Sequence, residues 1–156
     1  MTTDSKASET KAQAYLRTKV MSASPEELRL MLIDGAIRFT RQGRDAIERK
    51  DWEGVYEGFT KAKEILLELI NALRPEVDPD LCSRLSALYT FMYRRLLDAS
   101  LEKSAAIADE VIELLEYDRE TWVMLMDKLA EERGRGAAPA AREYAGTPTG
   151  GFSVEG

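Results

Sequence analysis

The side chains that carry most protein chemistry are scarce in this chain. Histidine is absent from all 156 residues, which removes the commonest general base, the commonest metal ligand and the usual phosphorelay acceptor together. The single cysteine, Cys82, permits no internal disulfide. With no imidazole to activate its thiol, it reads as a small buried hydrophobe rather than a nucleophile. Asp34 beside Gly35, and the neighbours Arg94 and Arg95, invite a site, but such residues on helix surfaces usually make ordinary ion pairs. No carboxylate pair stands out as an acid/base couple, and a ferritin-like metal bundle needs Glu-x-x-His on facing helices. No glycine-rich phosphate loop occurs. The expectation is therefore a non-enzyme with no catalytic residue, no cofactor and no metal. Tyr89 and Tyr93, one turn apart, fit either a polar-tipped lip to a groove or core-edge tyrosines whose hydroxyls reach water.

Charge excludes another class. Lys and Arg number 22 against 28 Asp and Glu, a formal net charge of -6, whereas binding to phosphates needs clustered basic side chains. Nucleic acid is not an expected partner. The polar start lacks the apolar core of a secretory signal, and charges interrupt every apolar run before it reaches bilayer length. Direct membrane insertion is thus not expected, and the cytoplasm is the expected compartment. With 44% hydrophobic and 32% charged residues, the composition suits long helices with solvated faces in one domain.

Such residues as there are must be positioned by helices, and four have legible starts. Ser24-Pro25-Glu26-Glu27 is a capping box with proline at the first helical position, predicting a helix to about Lys50. Asp51 caps a second through Leu73. Asp78-Pro79 repeats the cap-then-proline start and opens a third to about Ser100, and Ser104 caps a fourth that ends near Arg133 before Gly134. Short links between long helices force antiparallel neighbours, so the predicted fold is all-α, an up-down-up-down four-helix bundle. Residues 1–14 are expected to be a flexible polar head, 15–133 the bundle, and 134–156 a Gly-, Ala-, Pro- and Thr-rich disordered tail. Tyr15, Leu16, Val20 and Met21 have the one-turn spacing of a short helical or capping segment that docks on the bundle.

At about 100° per residue the first of these helices puts Leu28, Leu32, Gly35, Phe39, Gly43 and Ala46 on a core stripe. Leu30, Ile33 and Ile37 form a second stripe on its far side. The second helix has one core face, from Trp52 through Val55, Phe59, Ala62, Leu66, Leu69, Ile70 and Leu73. On the third, Leu81, Leu85, Leu88, Met92, Leu96 and Ala99 are core, widened by Cys82, Tyr89, Tyr93 and Leu97. On the fourth, Val111, Leu115, Trp122, Met126 and Leu129 are core, widened by Ile112 and Val123. The surplus stripe admits three covers: the Tyr15 segment, a second copy in a homodimer, or a partner helix in a groove. Gly35 inside a helix costs about 1 kcal/mol relative to Ala, which points to close approach of a neighbouring helix, with a hinge as the alternative.

Several stretches resemble the FliS family of flagellar secretion chaperones. They are Ala14-Tyr15 followed by Val20, Ser22-Ala23-Ser24-Pro25-Glu26-Glu27-Leu28, and Met31-Leu32-Ile33-Asp34-Gly35-Ala36-Ile37-Arg38-Phe39. Leu85-Ser86-Ala87-Leu88-Tyr89, Met92-Tyr93-Arg94-Arg95-Leu96 and Thr121-Trp122 continue it in the family's order and spacing. The resemblance covers about Ala14 to Leu129. It implies an antiparallel helical bundle that binds the disordered C-terminal segment of flagellin, which turns helical on the chaperone's apolar surface. Binding would keep flagellin from polymerising and deliver it to a membrane protein of the type III export gate, with no enzymatic step. On this expectation the flagellin-binding surface comprises Leu30, Ile33, Ile37, Tyr89, Tyr93, Leu97, Ile112 and Val123. Tyr15, Leu16 and Val20 would form an N-terminal lid that moves when flagellin binds.

Overall fold

The computed structural model describes residues 2–135, with side chains from residue 9 onward; of the expected tail 134–156, residues 134 and 135 end the last helix and the rest lies outside the described residues. The described residues form five helices and no strand: α1 (Thr2–Ser22), α2 (Pro25–Glu48), α3 (Trp52–Asn71), α4 (Pro79–Glu102) and α5 (Ala105–Arg135). The described residues are all-helical, as the periodicity predicts.

The starts of α2 to α5 rest on local chemistry. Ser24 Oγ accepts from the Glu27 N–H at 3.1 Å, and Asp51 accepts from the Gly54 N–H at 3.1 Å. Asp78 accepts from the Leu81 N–H at 3.1 Å and Ser104 from the Ile107 N–H at 3.2 Å. Each satisfies a backbone donor that the first helical turn leaves without an intrahelical acceptor. Pro25 and Pro79, lacking that donor, follow their caps directly.

The N-terminus differs from expectation in extent. Where the sequence suggests a polar head and then one amphipathic turn, a single helix, α1, runs through to Ser22. Its Ala, Lys, Glu and Gln residues are good helix formers but offer no apolar stripe. Consistently, every residue from 9 to 22 is exposed, so in this structure Tyr15, Leu16 and Val20 cover nothing.

Among the remaining helices α2 packs on α3 and α5, and α4 packs on the same two. Contacts across each pair run in opposite chain order. Along α2 and α5, Arg44 meets Asp109, Arg41 meets Glu116, Asp34 meets Arg119 and Glu26 meets Trp122. Between α2 and α3 the helices approach closely, because Gly58 on α3 faces the Gly43 backbone on α2. The enclosed core contains Ile33, Ala36, Phe59, Leu66, Leu69, Tyr89, Met92, Leu96, Val111 and Leu115, and burial of each large side chain contributes roughly 1.5–3 kcal/mol.

This packing overturns one premise of the sequence reading. The second apolar stripe of α2 is not surplus: Ile33 is 0% and Ile37 6% exposed. A helix with neighbours on two sides needs two apolar faces, and here α3 takes one while α5 takes the other. Trp52 departs from expectation in the opposite sense. It lies at the first residue of α3 and is exposed, with its ring under the Lys103 ammonium 4.6 Å from the centroid.

Candidate partner-binding site

The eight residues expected to form one binding surface divide between two seams. Leu30, Ile33 and Ile37 share the flank of α2 that carries Asp34 and Arg41, and Ile112 and Val123 share the flank of α5 that carries Glu116 and Arg119. Together they make the α2–α5 seam. Within it Ile33, Ile37 and Ile112 are buried, while Leu30 and Val123 are half-buried. Three charged contacts close its mouth: Arg119 with Asp34, Arg41 with Glu116, and Arg44 Nε with Asp109 at 2.9 Å. These contacts raise the pKa of two guanidinium groups, Arg44 mainly through its hydrogen bond to Asp109 and Arg119 mainly through its bond to Asp34. The seam is a packed helix interface, with a shallow concavity at its mouth lined by Asp34, Ile37, Arg38, Arg41, Glu116 and Arg119. Ile33, Ile37 and Ile112 are therefore corrected from exposed surface to core.

Tyr89 is likewise a core residue. Its hydroxyl donates to Asp118 Oδ2 at 2.7 Å and accepts from the Arg29 guanidinium, so both sides of the oxygen are used. Burial, the largest cause, drives the phenol pKa well above the usual tyrosine value. The Arg29 guanidinium lies 5.0 Å from the Trp122 ring centroid, and Trp122 Nε1 donates to the Glu26 carbonyl at 3.0 Å. This cluster ties α2, α4 and α5 together. Neither alternative expected for the tyrosine pair fits Tyr89, whose hydroxyl is buried on Asp118 and Arg29 rather than reaching water, and only Tyr93 stays at the edge of the core, under the Lys63 ammonium.

The α3–α4 seam carries more exposed apolar side chains. Tyr93 from the expected surface faces α3 under the Lys63 ammonium, Leu97 and Leu101 follow it at intervals of four and turn progressively outward, and Trp52, Tyr56, Lys63 and Leu67 share one row of α3. Tyr56 is 70% and Leu101 81% exposed, and Trp52, Leu67 and Leu97 are also exposed. No carboxylate–cation pair spans this mouth among the described residues. Its cross-seam contacts are Lys63 over the Tyr93 ring at 5.6 Å and Lys103 over Trp52. Exposed apolar and aromatic side chains thus flank the junction of two helices, an arrangement that suits a third helix laid along it.

A second concavity of about 620 Å³ lies at the end of the helices where α1 joins α2. Leu28, Leu32, Leu69, Leu73, Leu81 and Trp122 supply apolar wall, with buried Cys82 among them. Among the described residues no group of acidic or cysteine side chains has the geometry of a metal site, and no helix is long and apolar enough to cross a membrane.

Comparison with known proteins decides the family. The model of the flagellar protein FliS matches residues 7–129. The chain belongs to the FliS family. Relatives include the flagellar secretion chaperone FliS of Salmonella typhimurium, 35% identical over 125 residues, covering 80% of this chain and 93% of that protein. The FliS of Bacillus subtilis is 32% identical over 120 residues, covering 77% of this chain and 89% of its own. That of Vibrio cholerae is 31% identical over 114 residues, 70% of this chain and 84% of that protein.

Within this FliS-family chain, sequence reasoning missed Trp52, Tyr56, Leu67 and Leu101. A signal was present. Trp52, Tyr56, Lys63 and Leu67 recur at whole-turn spacings about a quarter turn from the core stripe, and Leu101 follows Tyr93 and Leu97 at intervals of four.

Proposed function

We propose that this chain is a flagellin export chaperone. It binds the C-terminal segment of flagellin as an amphipathic helix, keeps it from polymerising in the cytoplasm, and delivers it to a membrane protein of the type III export gate. Family membership supports the reading, since the relatives are flagellar secretion chaperones. The observation that carries it is the α3–α4 seam, along whose flanks Tyr56, Leu67, Leu97 and Leu101 are exposed. A client segment that buries its apolar face there cannot bury it in a growing filament, so chaperone and filament compete for one surface. Apolar burial drives the complex at about 25 cal/mol per Å², offset by the entropy of ordering the client. The scheme needs no nucleotide and no catalytic step.

In this reading α2 to α5 are an up-down-up-down four-helix bundle, for which the opposed order of the cross-helix contacts speaks. Residues 15–133 are the working domain. Tyr15, Leu16 and Val20 serve as a lid: α1 pivots at Ala23 and Ser24 so that these residues close over the apolar concavity beside Leu28 and Leu32, and a client whose chain extends from the α3–α4 seam into that concavity displaces them. Of the client surface first expected, Tyr93 and Leu97 stay in the α3–α4 seam, and Leu30 and Val123 add a half-buried strip at the α2–α5 mouth.

The test is titration of the full chain with a flagellin C-terminal peptide, followed by calorimetry and by the helical signal in circular dichroism. Binding in the micromolar range or tighter with a gain of helix is expected, and no binding at tens of micromolar overturns the proposal. Tyr56→Asp and Leu97→Asp should each weaken the complex at least tenfold while leaving the thermal midpoint of the free protein unchanged. The same exposed seam also suits a second copy of the chain. A dimer that persists at nanomolar concentration in sedimentation and is split by Leu97→Asp would favour that reading.

A further inference from the structure

The α3–α4 seam carries charge as well as apolar surface, and the charge is placed at intervals. The Lys103 ammonium sits over Trp52 at one end of the valley, and the Lys63 ammonium sits over Tyr93 farther along. Trp52 and Lys63 are separated by three turns of α3, about 16 Å at 1.5 Å per residue. Among the described residues neither ammonium lies in an ion pair, in contrast to Arg41, Arg44 and Arg119 on the closed seam. An aromatic face holds each lysine at the mouth without neutralising it. Between the two lie Tyr56, Leu97 and Leu101, exposed and uncharged. The nearest carboxylates of α3 are Glu53, beside Trp52, and then Glu64 and Glu57, all on the next rows around that helix, so they border the seam on its solvent side.

We propose that the α3–α4 seam selects a helical client with an apolar stripe flanked by two carboxylates roughly eleven residues apart, one seated on Lys63 and one on Lys103. Eleven residues are close to three whole turns, which returns both acids to one face of the client and matches the separation of the lysines. Glu53, Glu57 and Glu64 repel client acids that are not seated on a lysine, so attraction and repulsion together fix register. The proposal rests on the seam being the client surface. It adds the chemistry by which the seam distinguishes one amphipathic helix from another.

The experiment uses the full chain and three designed amphipathic peptides of equal length with the same leucine stripe. One carries two Glu eleven residues apart, one the same two Glu seven apart, and one two Gln at the eleven-residue positions. Fluorescence anisotropy reads their affinities at low and at high salt. The first peptide should bind roughly fivefold more tightly than either control at low salt, as expected of two exposed ion pairs, and 0.5 M NaCl should erase most of the difference. The advantage should also vanish in the Lys63→Gln, Lys103→Gln double variant, in which glutamine keeps most of the side-chain length. Equal binding of the three peptides, an advantage that survives the double variant, or no binding by any of them overturns the proposal. Running the flagellin C-terminal peptide on the same proteins separates the two claims. Its failure to bind, with the designed peptides still discriminated, would remove flagellin as the client and leave the charge spacing standing. Flagellin binding with no discrimination among the designed peptides would do the reverse.

Discussion

Gly58 and Gly35 are both helical glycines facing a neighbouring helix, yet they do different work. A Cβ at Gly58 would lie 2.6 Å from Gly43 N, 2.8 Å from the Phe39 carbonyl oxygen and 2.9 Å from Gly43 Cα, all backbone atoms. A Cβ at Gly35 would meet only the end of the Ile65 side chain at 3.1 Å. Gly58→Ala should therefore push α2 and α3 apart and cost about 1–3 kcal/mol. Gly35→Ala should be neutral or stabilising, because up to about 1 kcal/mol of helix propensity is opposed only by a small rotation of Ile65. Urea denaturation of both variants checks the ordering, which would be reversed if Gly35 made the close approach its sequence context suggests. Tyr89 supports a prediction of another kind. Its folded-state pKa is raised above the ordinary value of 10.0, chiefly by burial, so the folded protein holds that proton more tightly than the unfolded chain. Its contribution to stability is complete below pH 10 and drains away as the pH rises toward the folded value. Tyr89→Phe should cost about 1–3 kcal/mol at pH 8 by leaving Asp118 and Arg29 without their shared partner. By pH 11 the gap between wild type and variant should narrow by about 1 kcal/mol, as denaturant melts at the two pH values would show.

At the scale of elements the α2–α5 interface is the most exacting. Ile33→Ala should destabilise the free protein by about 2–5 kcal/mol, and Ile33→Asp should abolish cooperative unfolding by placing a carboxylate in the core. Thermal melts check both. A binding residue on the surface would instead lose affinity at constant stability. The contrast marks how far the sequence was readable. Ser24, Asp51, Asp78 and Ser104 announce four helix starts because a cap is a contact between residues three apart. The stripes on α3, α4 and α5 were legible because periodicity reports which face of a helix is apolar. It does not report what covers that face. Ile33 and Ile37 on one side of α2, and Trp52 at the start of α3, have the same helical spacing whether or not a neighbour lies against them. Only the tertiary arrangement shows that α5 covers the first pair and that the last lies under Lys103 at the α3–α4 seam. The extent of α1 escaped for a related reason, since a helix that buries nothing has no apolar period to detect.

For the molecule as a whole, the exposed α1 separates stability from binding. Every described residue from 9 to 22 is exposed, and the Ser24 cap that starts α2 lies beyond them. Removing residues 1–22 should consequently shift the thermal midpoint by no more than about 2 °C, on the order of a few tenths of a kcal/mol. Binding should respond differently. If Tyr15, Leu16 and Val20 spend part of their time over the apolar concavity beside Leu28 and Leu32, the full chain is only fractionally available to a client that needs them moved. Its apparent dissociation constant is then larger than the intrinsic one by the inverse of that available fraction. Truncation should thus tighten binding of a flagellin C-terminal peptide by a measurable factor at unchanged stability. A residue pair within α1 offers the control: Tyr15→Ser with Leu16→Ser keeps the helix but removes the apolar contacts, and should reproduce the gain. Weaker binding in both variants would instead make α1 part of the client's own site, and a large fall in the thermal midpoint would mean that α1 packs on the other helices in solution.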